Sequence, residues 1–376
     1  MVPLSRKELK YMVSESPKIA KANREAEKTF SLTLAIKLLP TPKQAELLDR
    51  TMSEYIKFSN ELIDYVIAVG SWPEISFPEI KGVALPSKLK ANILQDVMQI
   101  HNACAKSGRS YPTLRRPVAK WTNQAYAVHS DHVDLSVILS GKTKRISMSA
   151  AIRPEDQEIL SQYIPKTLRL KKKRGNYIAQ ICYVPSFPQL EENGVAMGVD
   201  LGIKCPAVAK TSDGHVKFLG NSRERRAKRR MFYGRRKHLQ KRKHRRKLRR
   251  IEHKERRWMI DQDHKLSREI INYAIQNDVK TIKMEMLSGI RARTTSKSRK
   301  NSRNINNWSF YRLQQFIVYK ARLAGIRVKF VDPRYTSQTC PDCGNKHKAS
   351  DRLYKCPVCG YTKHRDLVGA INILAA

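Results

Sequence analysis

The sequence predicts a multidomain α+β chain: a β-rich first unit interrupted by a helical insertion, then an α/β core with a cysteine-bound metal module near its end. Three observations predict it. Apolar residues alternate with period two over 30–38, and strand-like runs return after about Tyr126, the mark of half-buried strands. Between those regions the apolar residues recur at helical spacing. After residue 194, short apolar runs alternate with a long helical stretch, and four of the seven cysteines fall at 340–359. A length of 376 residues allows two or three structural units.

The elements follow in order. The first 28 residues are mixed, polar and basic, which suits a peripheral helix or an arm. In TFSLTLAIKLL, Phe30, Leu32, Leu34, Ile36 and Leu38 share one face, and the strand stops at Pro40. Thr41-Pro42-Lys43-Gln44 then supplies an N-cap, a first-turn proline and a capping-box glutamine. The helix it opens runs towards Val69, with Leu48, Met52, Tyr55 and Ile56 as its stripe. Gly70 to Pro86 is turn-rich and reads as a linker. A second helix follows Ser87, with Ile93, Val97 and Ile100 inward. Strands return in VDLSVILS and RISMSAAI, and TLRLKKKRGNYIAQICYVP forms a hairpin turning at Gly175-Asn176. Residues 1–44 and 124–190 therefore make the β-rich unit, and 45–123 the helical insertion.

The acidic, proline-containing connector from Pro185 to Asn193 marks the boundary. After it, VAMGVDLGIK is a short strand ending in an acid and a glycine turn, and CPAVAK and HVKFLG flank the hairpin dipeptide Asp213-Gly214. Strands in antiparallel order before a helix suit an RNase H-like sheet. A long helical stretch leads to the strand VKTIKMEML, a helix from about Asn307 to Ala324, the strand IRVKFVDP and a last short helix, DLVGAINIL. The core thus spans 191–338 and 363–376, with the cysteine module inserted at 339–362.

The charge speaks about partners. Lys and Arg number 74 against 33 Asp and Glu, a net +41. A compact body so charged repels itself, and a polyanion relieves that by releasing counterions. Nucleic acid is the expected polyanion. An anionic membrane is disfavoured by the absence of an apolar run of about 18 residues. The N-terminal sequence lacks the apolar core of a secretion signal, so a cytoplasmic, nucleoid-associated location is expected. The densest charge is RERRAKRRMFYGRRKHLQKRKHRRKLRR, roughly 17 basic residues in about 28, with almost no acids. Arg225, Arg226, Arg229, Arg230, Arg235, Arg236, Lys241, Arg242, Arg245, Arg246 and Arg249 are its candidate phosphate contacts. A second basic stretch, IRARTTSKSRKNSRN, interleaves Ser, Thr and Asn and suits a loop that orders on nucleic acid. Trp121, Tyr126, Trp308 and Tyr311 could stack on bases, although helix-core packing fits Trp308 and Phe310 at least as well.

Cys340-x₂-Cys343 and Cys356-x₂-Cys359 are two knuckles twelve residues apart, each followed by a glycine, Gly344 and Gly360. Glycine permits the tight turn that aims both thiolates at one ion. Four thiolates make a closed tetrahedral zinc site, structural rather than catalytic. His347 and His364 flank the cluster and read as surface or nucleic-acid contacts. In a reducing cytosol Cys104, Cys182 and Cys205 read as small hydrophobes.

Three acids stand at element ends or inside apolar strands: Asp200, Glu285 and Asp366. A carboxylate in an apolar strand is costly unless it is paired or coordinates something. Each has an ordinary reading as a cap or an ion-pair partner, and Asp366 suits the N-terminus of a helix. Taken together they suit Mg²⁺ or Mn²⁺, two ions about 4 Å apart clamping an in-line phosphodiester displacement.

The surrounding residues sharpen this. GVDLGIK around Asp200, KMEML around Glu285 and HRDLVGAINI around Asp366 resemble the three RuvC motifs of the TnpB family, and YTSQTCPDCG is similar to that family's most recognisable string. The resemblance runs nearly continuously from about Ala196 to the end. The first half matches in layout only. It implies a RuvC-like nuclease core, a barrel-like wedge domain with a helical recognition insertion, and a zinc ribbon that binds target nucleic acid. It implies Asp200, Glu285 and Asp366 as catalytic ligands of two Mg²⁺ ions. It further implies a transposon-end guide RNA, double-stranded target DNA with a short flanking motif, and a basic loop over the groove after the second motif. The family usually carries Asn two residues after the third acid, where Val368 stands here. A miniature type V CRISPR effector, a guide-RNA-binding repressor and an unguided resolvase or transposase are the competing readings. The complete acid set argues against the repressor.

Overall fold

The computed structural model describes residues 16–70, 72, 83–191, 193–287, 306 and 308–376. Residues 1–15, most of the 70–86 linker and the second basic stretch lie outside the described residues. The chain divides into two compact units, Thr29–Pro185 and the pair Met1–Lys28 with Ser186–Ala376. Helix α1 (Pro17–Glu27) therefore does not group with the β-rich unit, as sequence order suggests. Its Asn23 Oδ1 accepts from the backbone N–H of Phe330 at 2.6 Å, a contact 307 residues away that no local pattern encodes.

In the unit Thr29–Pro185, β1 (Leu32–Leu38) buries Leu34, Ile36 and Leu38 by strict alternation. Helix α2 (Pro42–Val69) opens with the expected capping box. Gln44 N–H donates to Thr41 Oγ1 at 3.4 Å, and Thr41 N–H donates to Gln44 Oε1 at 2.9 Å. Helix α3 (Ser87–Ser107) follows. The strands β2 (Val118–Thr122), β3 (Tyr126–Val128), β4 (His132–Leu139), β5 (Lys142–Ala151), β6 (Pro165–Lys173) and β7 (Asn176–Tyr183) complete an antiparallel sheet. Its order is β2-β6-β7-β1-β5-β4-β3.

Two details differ from the sequence reading. The helical insertion does not reach residue 123, because Val118–Thr122 already pairs with β6 and buries Ala119 and Trp121. Five residues are too few to display a period. A short helix, α4 (Pro154–Gln162), also interrupts the strands; Arg153 Nε donates to Asp156 Oδ2 at 2.9 Å and pins its first turn. The Trp121 indole N–H donates to the Ser136 carbonyl of β4 at 2.9 Å, so the two ends of the sheet approach each other. Trp121 and Tyr126 lie in this core, 0% and 4% exposed, and cannot stack on bases.

The other unit holds a five-stranded sheet in the order β10-β9-β8-β11-β12. β8 (Val195–Leu201), β9 (Ala207–Thr211) and β10 (Val216–Leu219) are antiparallel neighbours, whereas β11 (Val279–Glu285) and β12 (Arg327–Val331) run parallel to β8. Helices α5 (Ser222–Lys241) and α6 (Arg245–Gln276) lead from β10 to β11, and α7 (Phe310–Leu323) precedes β12. The cysteine module follows with β13 (Leu353–Lys355) and β14 (Thr362–His364), then α8 (Arg365–Ala375) returns to the sheet. The core between sheet and helices includes Met197, Val199, Ile270, Ile282, Met284 and Ile317, all fully buried. Among the described residues no helix is long and apolar enough to cross a membrane.

Candidate active site

Asp200 and Glu285 lie near the C-terminal ends of neighbouring parallel strands. The register pairs Val199 with Met284, so the two acids occupy the next position on each strand. The open end of parallel strands, where side chains leave the sheet with no further pairing, is where such folds bind ligands. Asp366 comes to the same place from a different element, the first turn of α8. Burial, then the charges of Glu285 and Asp366, hold the Asp200 carboxyl well above the usual carboxylate range. Burial also raises Glu285; the Thr336 hydroxyl bond opposes that shift, and the nearby Asp332 charge adds to it. The Cys205 thiol, read from sequence as inert packing, is pushed up to about 11 by burial and by Asp366 and Asp200.

Two glycines permit this arrangement. A Cβ on Gly198 would stand 2.3 Å from the Ala370 carbonyl oxygen and 2.7 Å from the Leu374 nitrogen, so α8 lies directly on β8. A Cβ on Gly369 would stand 2.8 Å from Asp200 Oδ2, so the same helix also touches the first acid. Lys283 Nζ holds the far end of α8 by donating to the Leu374 carbonyl at 2.8 Å. Val368, where the related family usually has Asn, is fully buried against Cys340, Ala349, Tyr354 and Cys356. An apolar residue there joins the helix to the cysteine module.

Further side chains hold the acids. The Thr336 hydroxyl donates to Glu285 Oε1, and Gln314 Nε2 donates to the Glu285 carbonyl at 2.7 Å. Arg352 pairs with Asp366, whose backbone N–H donates to His364 Nδ1 at 3.3 Å. Asn372 Nδ2 donates to the carbonyls of Thr336 and Thr339, both at 2.7 Å. The string Tyr335–Thr339 thereby ties Glu285 to the last helix. Sequence reasoning flagged that string without assigning its Thr336 a partner, and it missed Arg352 and Asn372. Asp366 and Glu285 are polar-paired as their ordinary reading expects, and all three acids stand near one another. Among the described residues their oxygens do not form a set within 4.8 Å of one another, Asp366 being drawn to Arg352 and Glu285 to Thr336. Three carboxylates, one of them raised by burial and then by the charges of the other two, are a hard oxygen donor set suited to a divalent cation.

The four cysteines do form a compact set, all sulfurs within 4.8 Å, with Cys340–Cys359 at 3.6 Å and Cys343–Cys356 at 3.5 Å. A tetrahedron with metal–sulfur bonds of about 2.3 Å has sulfur–sulfur edges of about 3.8 Å. The set therefore fits one structural metal ion. Gly344 and Gly360 have φ of +73° and +74°, the conformation each knuckle turn requires. Backbone N–H groups of Cys359 and Val358 lower the Cys356 thiol to about 6, favouring thiolate at neutral pH. His347 and His364 face Tyr354 and Phe218 edge-on, at 6.2 Å and 5.1 Å between ring centroids.

The basic helices split into two kinds of residue. Arg226, Arg230, Arg235, Lys241, Arg242, Arg245, Arg246 and Arg249 are exposed. Arg225, Arg229 and Arg236 turn inward with Phe232, a stripe at i, i+4, i+7 and i+11. Arg225 and Arg312 pair with the fully buried Asp263, and Arg236 pairs with Glu255. Burial and then the neighbouring Arg225 charge lower Arg229. These three arginines, expected from the sequence to contact phosphate, face inward, and the acidic partners of Arg225 and Arg236 lie on the next helix, a pairing visible only in three dimensions. Replacing Arg245, Arg246 and Arg249 by Ala should flatten the log–log salt dependence of nucleic-acid binding by up to about 2.7, at about 0.9 per phosphate contact. Asp263→Ala should instead leave that slope alone and destabilise the fold by about 3–5 kcal/mol, read from the denaturation midpoint.

Two family models match the chain. Residues 163–291 match the OrfB_IS605 family model, described as a probable transposase, and 310–373 match the Cas12f1-like TNB domain. The CRISPR-associated endodeoxyribonuclease Cas12f1 of Sulfoacidibacillus thermotolerans is 42% identical over 30% of this chain and 25% of its own. A TnpB-like protein of Methanocaldococcus jannaschii is 40% identical over 32% of this chain and 43% of its own. The chain thus spans less than half the length of these relatives. A Cas12f1 chain solved in complex with sgRNA and target DNA superposes with a TM-score of 0.67 at 14% identity, covering 92% of this chain and 98% of that one, which shows a shared fold.

Proposed function

On the premise that the chain belongs to the TnpB family, we propose that it is an RNA-guided DNA endonuclease whose RuvC-like core cuts with divalent metal ions. The observation that carries this reading is the approach of Asp200, Glu285 and Asp366 at the open end of β8 and β11, with Asp200 raised by burial and then by the other two acids. The order of three antiparallel strands followed by two parallel ones supports an RNase H-like core.

In this reading Asp200, Glu285 and Asp366 hold two Mg²⁺ or Mn²⁺ ions. When bound, such ions lower the pKa of water and stabilise the charge on the scissile phosphate and leaving oxygen. The protein positions the acids. Gln314 fixes the Glu285 backbone, Thr336 orients its carboxylate, and the docking of α8 against Gly198 sets the reach of Asp366. Arg352 lies at the edge of the site, where it neutralises Asp366 until a cation competes for the carboxylate or a phosphate for the guanidinium. With one nuclease centre among the described residues, the two DNA strands are cut in turn.

The cysteine module holds structural zinc. Its core contains Val368 of α8, so metal-driven folding there also seats the third acid. The pure protein should carry about one tightly held zinc ion per chain. Iron in its place, or no metal after purification without chelators, would overturn the assignment. The exposed arginines grip guide RNA and heteroduplex by backbone charge, and the β-rich unit with its helical insertion forms the wedge and recognition domains that hold the RNA scaffold and flanking DNA motif.

The test is to co-express the chain with its native flanking DNA, purify it, and sequence the RNA that accompanies it. One RNA species running past the element end supports guided recognition, and its tail names the target for a cleavage assay with Mg²⁺. A random mixture or no RNA leaves a basic nuclease without a guide. A second reading, a miniature type V CRISPR effector, draws on the Cas12f1-like domain at 310–373. A guide derived from a repeat array instead of a transposon end would select it.

A further inference from the structure

We propose that His129, His132 and Asp134 form a second metal site, on the surface of the Thr29–Pro185 unit, for a first-row divalent transition ion such as Zn²⁺. The proposal is independent of the nuclease reading, since none of these residues lies in the motifs that carry it.

The hairpin between β3 and β4 builds the site. β3 and β4 pair Val128 with Val133, and the ladder continues with the His129 N–H donating to the His132 carbonyl at 2.9 Å. The two histidines thus stand opposite each other across a tight turn. Asp134 follows His132 by two residues and shares its face of the strand. Its cross-strand partner is Ala127. One ligand atom from each of the three residues falls within 4.8 Å of the others. His129 Nε2 is 3.2 Å from Asp134 Oδ2, and His132 Nε2 is 3.9 Å from Asp134 Oδ1. The two rings stack with centroids 4.2 Å apart and planes 12° apart.

His132 Nδ1 lies 2.6 Å from Asp131 Oδ1, which leaves Nε2, 3.9 Å from Asp134 Oδ1, as the nitrogen that faces the shared carboxylate. A divalent ion between them would take one nitrogen and one carboxylate oxygen as ligands. The supporting shell is already formed: Asp131 fixes the tautomer and ring plane of His132, and Ser147 Oγ donates to Asp134 Oδ1 at 2.6 Å. A carboxylate behind a ligating histidine is the usual arrangement around bound metals. Imidazole donors favour Zn, Cu, Ni and Co over Mg or Ca, so this site and the nuclease acids select different ions. The side chains of His129, His132 and Asp134 are 44%, 35% and 19% exposed, leaving coordination positions open to water. An ion here would cross-link the turn to β4 and stiffen the β3 edge.

The test uses the full chain dialysed against micromolar Zn²⁺ with excess Mg²⁺, followed by metal analysis. Wild type should hold about two zinc ions and His132→Asn or Asp134→Asn about one, the retained ion being that of the four cysteines. Wild type loaded with Cu²⁺ should give an electron paramagnetic resonance spectrum with hyperfine splitting from two imidazole nitrogens. That readout does not depend on how any variant folds. About one zinc ion in wild type, two retained in both variants, or a copper spectrum without nitrogen splitting would each overturn the proposal.

Discussion

Asp200→Ala is expected to reduce DNA cleavage by more than about 10³-fold, beyond the 10²–10³ that loss of a single stabilising donor costs, while guide-dependent DNA binding survives. Asp200 touches the helix that carries Asp366 and stands beside Glu285, so its loss removes the group that the other two acids surround. Cleavage near the wild-type rate would take Asp200 out of the site. The isosteric Asp200→Asn adds a pH test. The folded carboxyl is raised by burial and then by Glu285 and Asp366, so it binds a proton more readily folded than unfolded. The contribution of Asp200 to the stability of the metal-free protein therefore falls as pH rises from the unfolded value of about 3.9 through the raised folded value. Asp200→Asn should melt higher than wild type at neutral pH without metal and lose that part of the slope. Mg²⁺ should raise the wild-type midpoint more than the variant's. A metal-free wild type that gains stability relative to Asp200→Asn across this window would contradict the crowded-carboxylate account.

Gly198→Ala is expected to lower cleavage by about 10²-fold, the cost of displacing a reacting group by about 1 Å. The added Cβ meets backbone, the Ala370 oxygen at 2.3 Å and the Leu374 nitrogen at 2.7 Å, so no rotamer change relieves it. The helix must move, and Asp366 moves with it. Zinc content should remain at wild-type level because the four cysteines do not touch Gly198. A variant with normal cleavage would mean that α8 can shift without carrying its acid away. Loss of both zinc and cleavage would mean general unfolding.

Much of this site was legible in the sequence because its constraints are local. A carboxylate at the end of the apolar run VAMGVD and another inside VKTIKMEML stand out against their neighbours. Two Cys-x₂-Cys knuckles with trailing glycines carry their geometry in their spacing. The capping box of α2 and the alternation of β1 were set by contacts within a few residues. What escaped was short or non-local. Val118–Thr122 is too brief to show a period, and α1 is assigned by a bond from Asn23 to a strand 307 residues later. Trp121 and Tyr126 have the chemistry of stacking platforms, and only their burial removes them from that role.

The sequence by itself determined which chemistry the chain can carry: hard acids in apolar strands, a thiolate tetrad, and a positive charge that demands a polyanion. The tertiary structure alone decided which groups meet. It turned Arg225, Arg229 and Arg236 of α5 inward, where Asp263 and Glu255 of α6 pair with Arg225 and Arg236, and left Arg245, Arg246 and Arg249 to solvent. It set Thr336 on Glu285, Arg352 on Asp366 and a glycine beneath α8. The physical reason is range. Backbone propensity and periodicity act over a few residues, whereas the energy of a buried charge depends on every group packed around it, wherever in the chain that group lies.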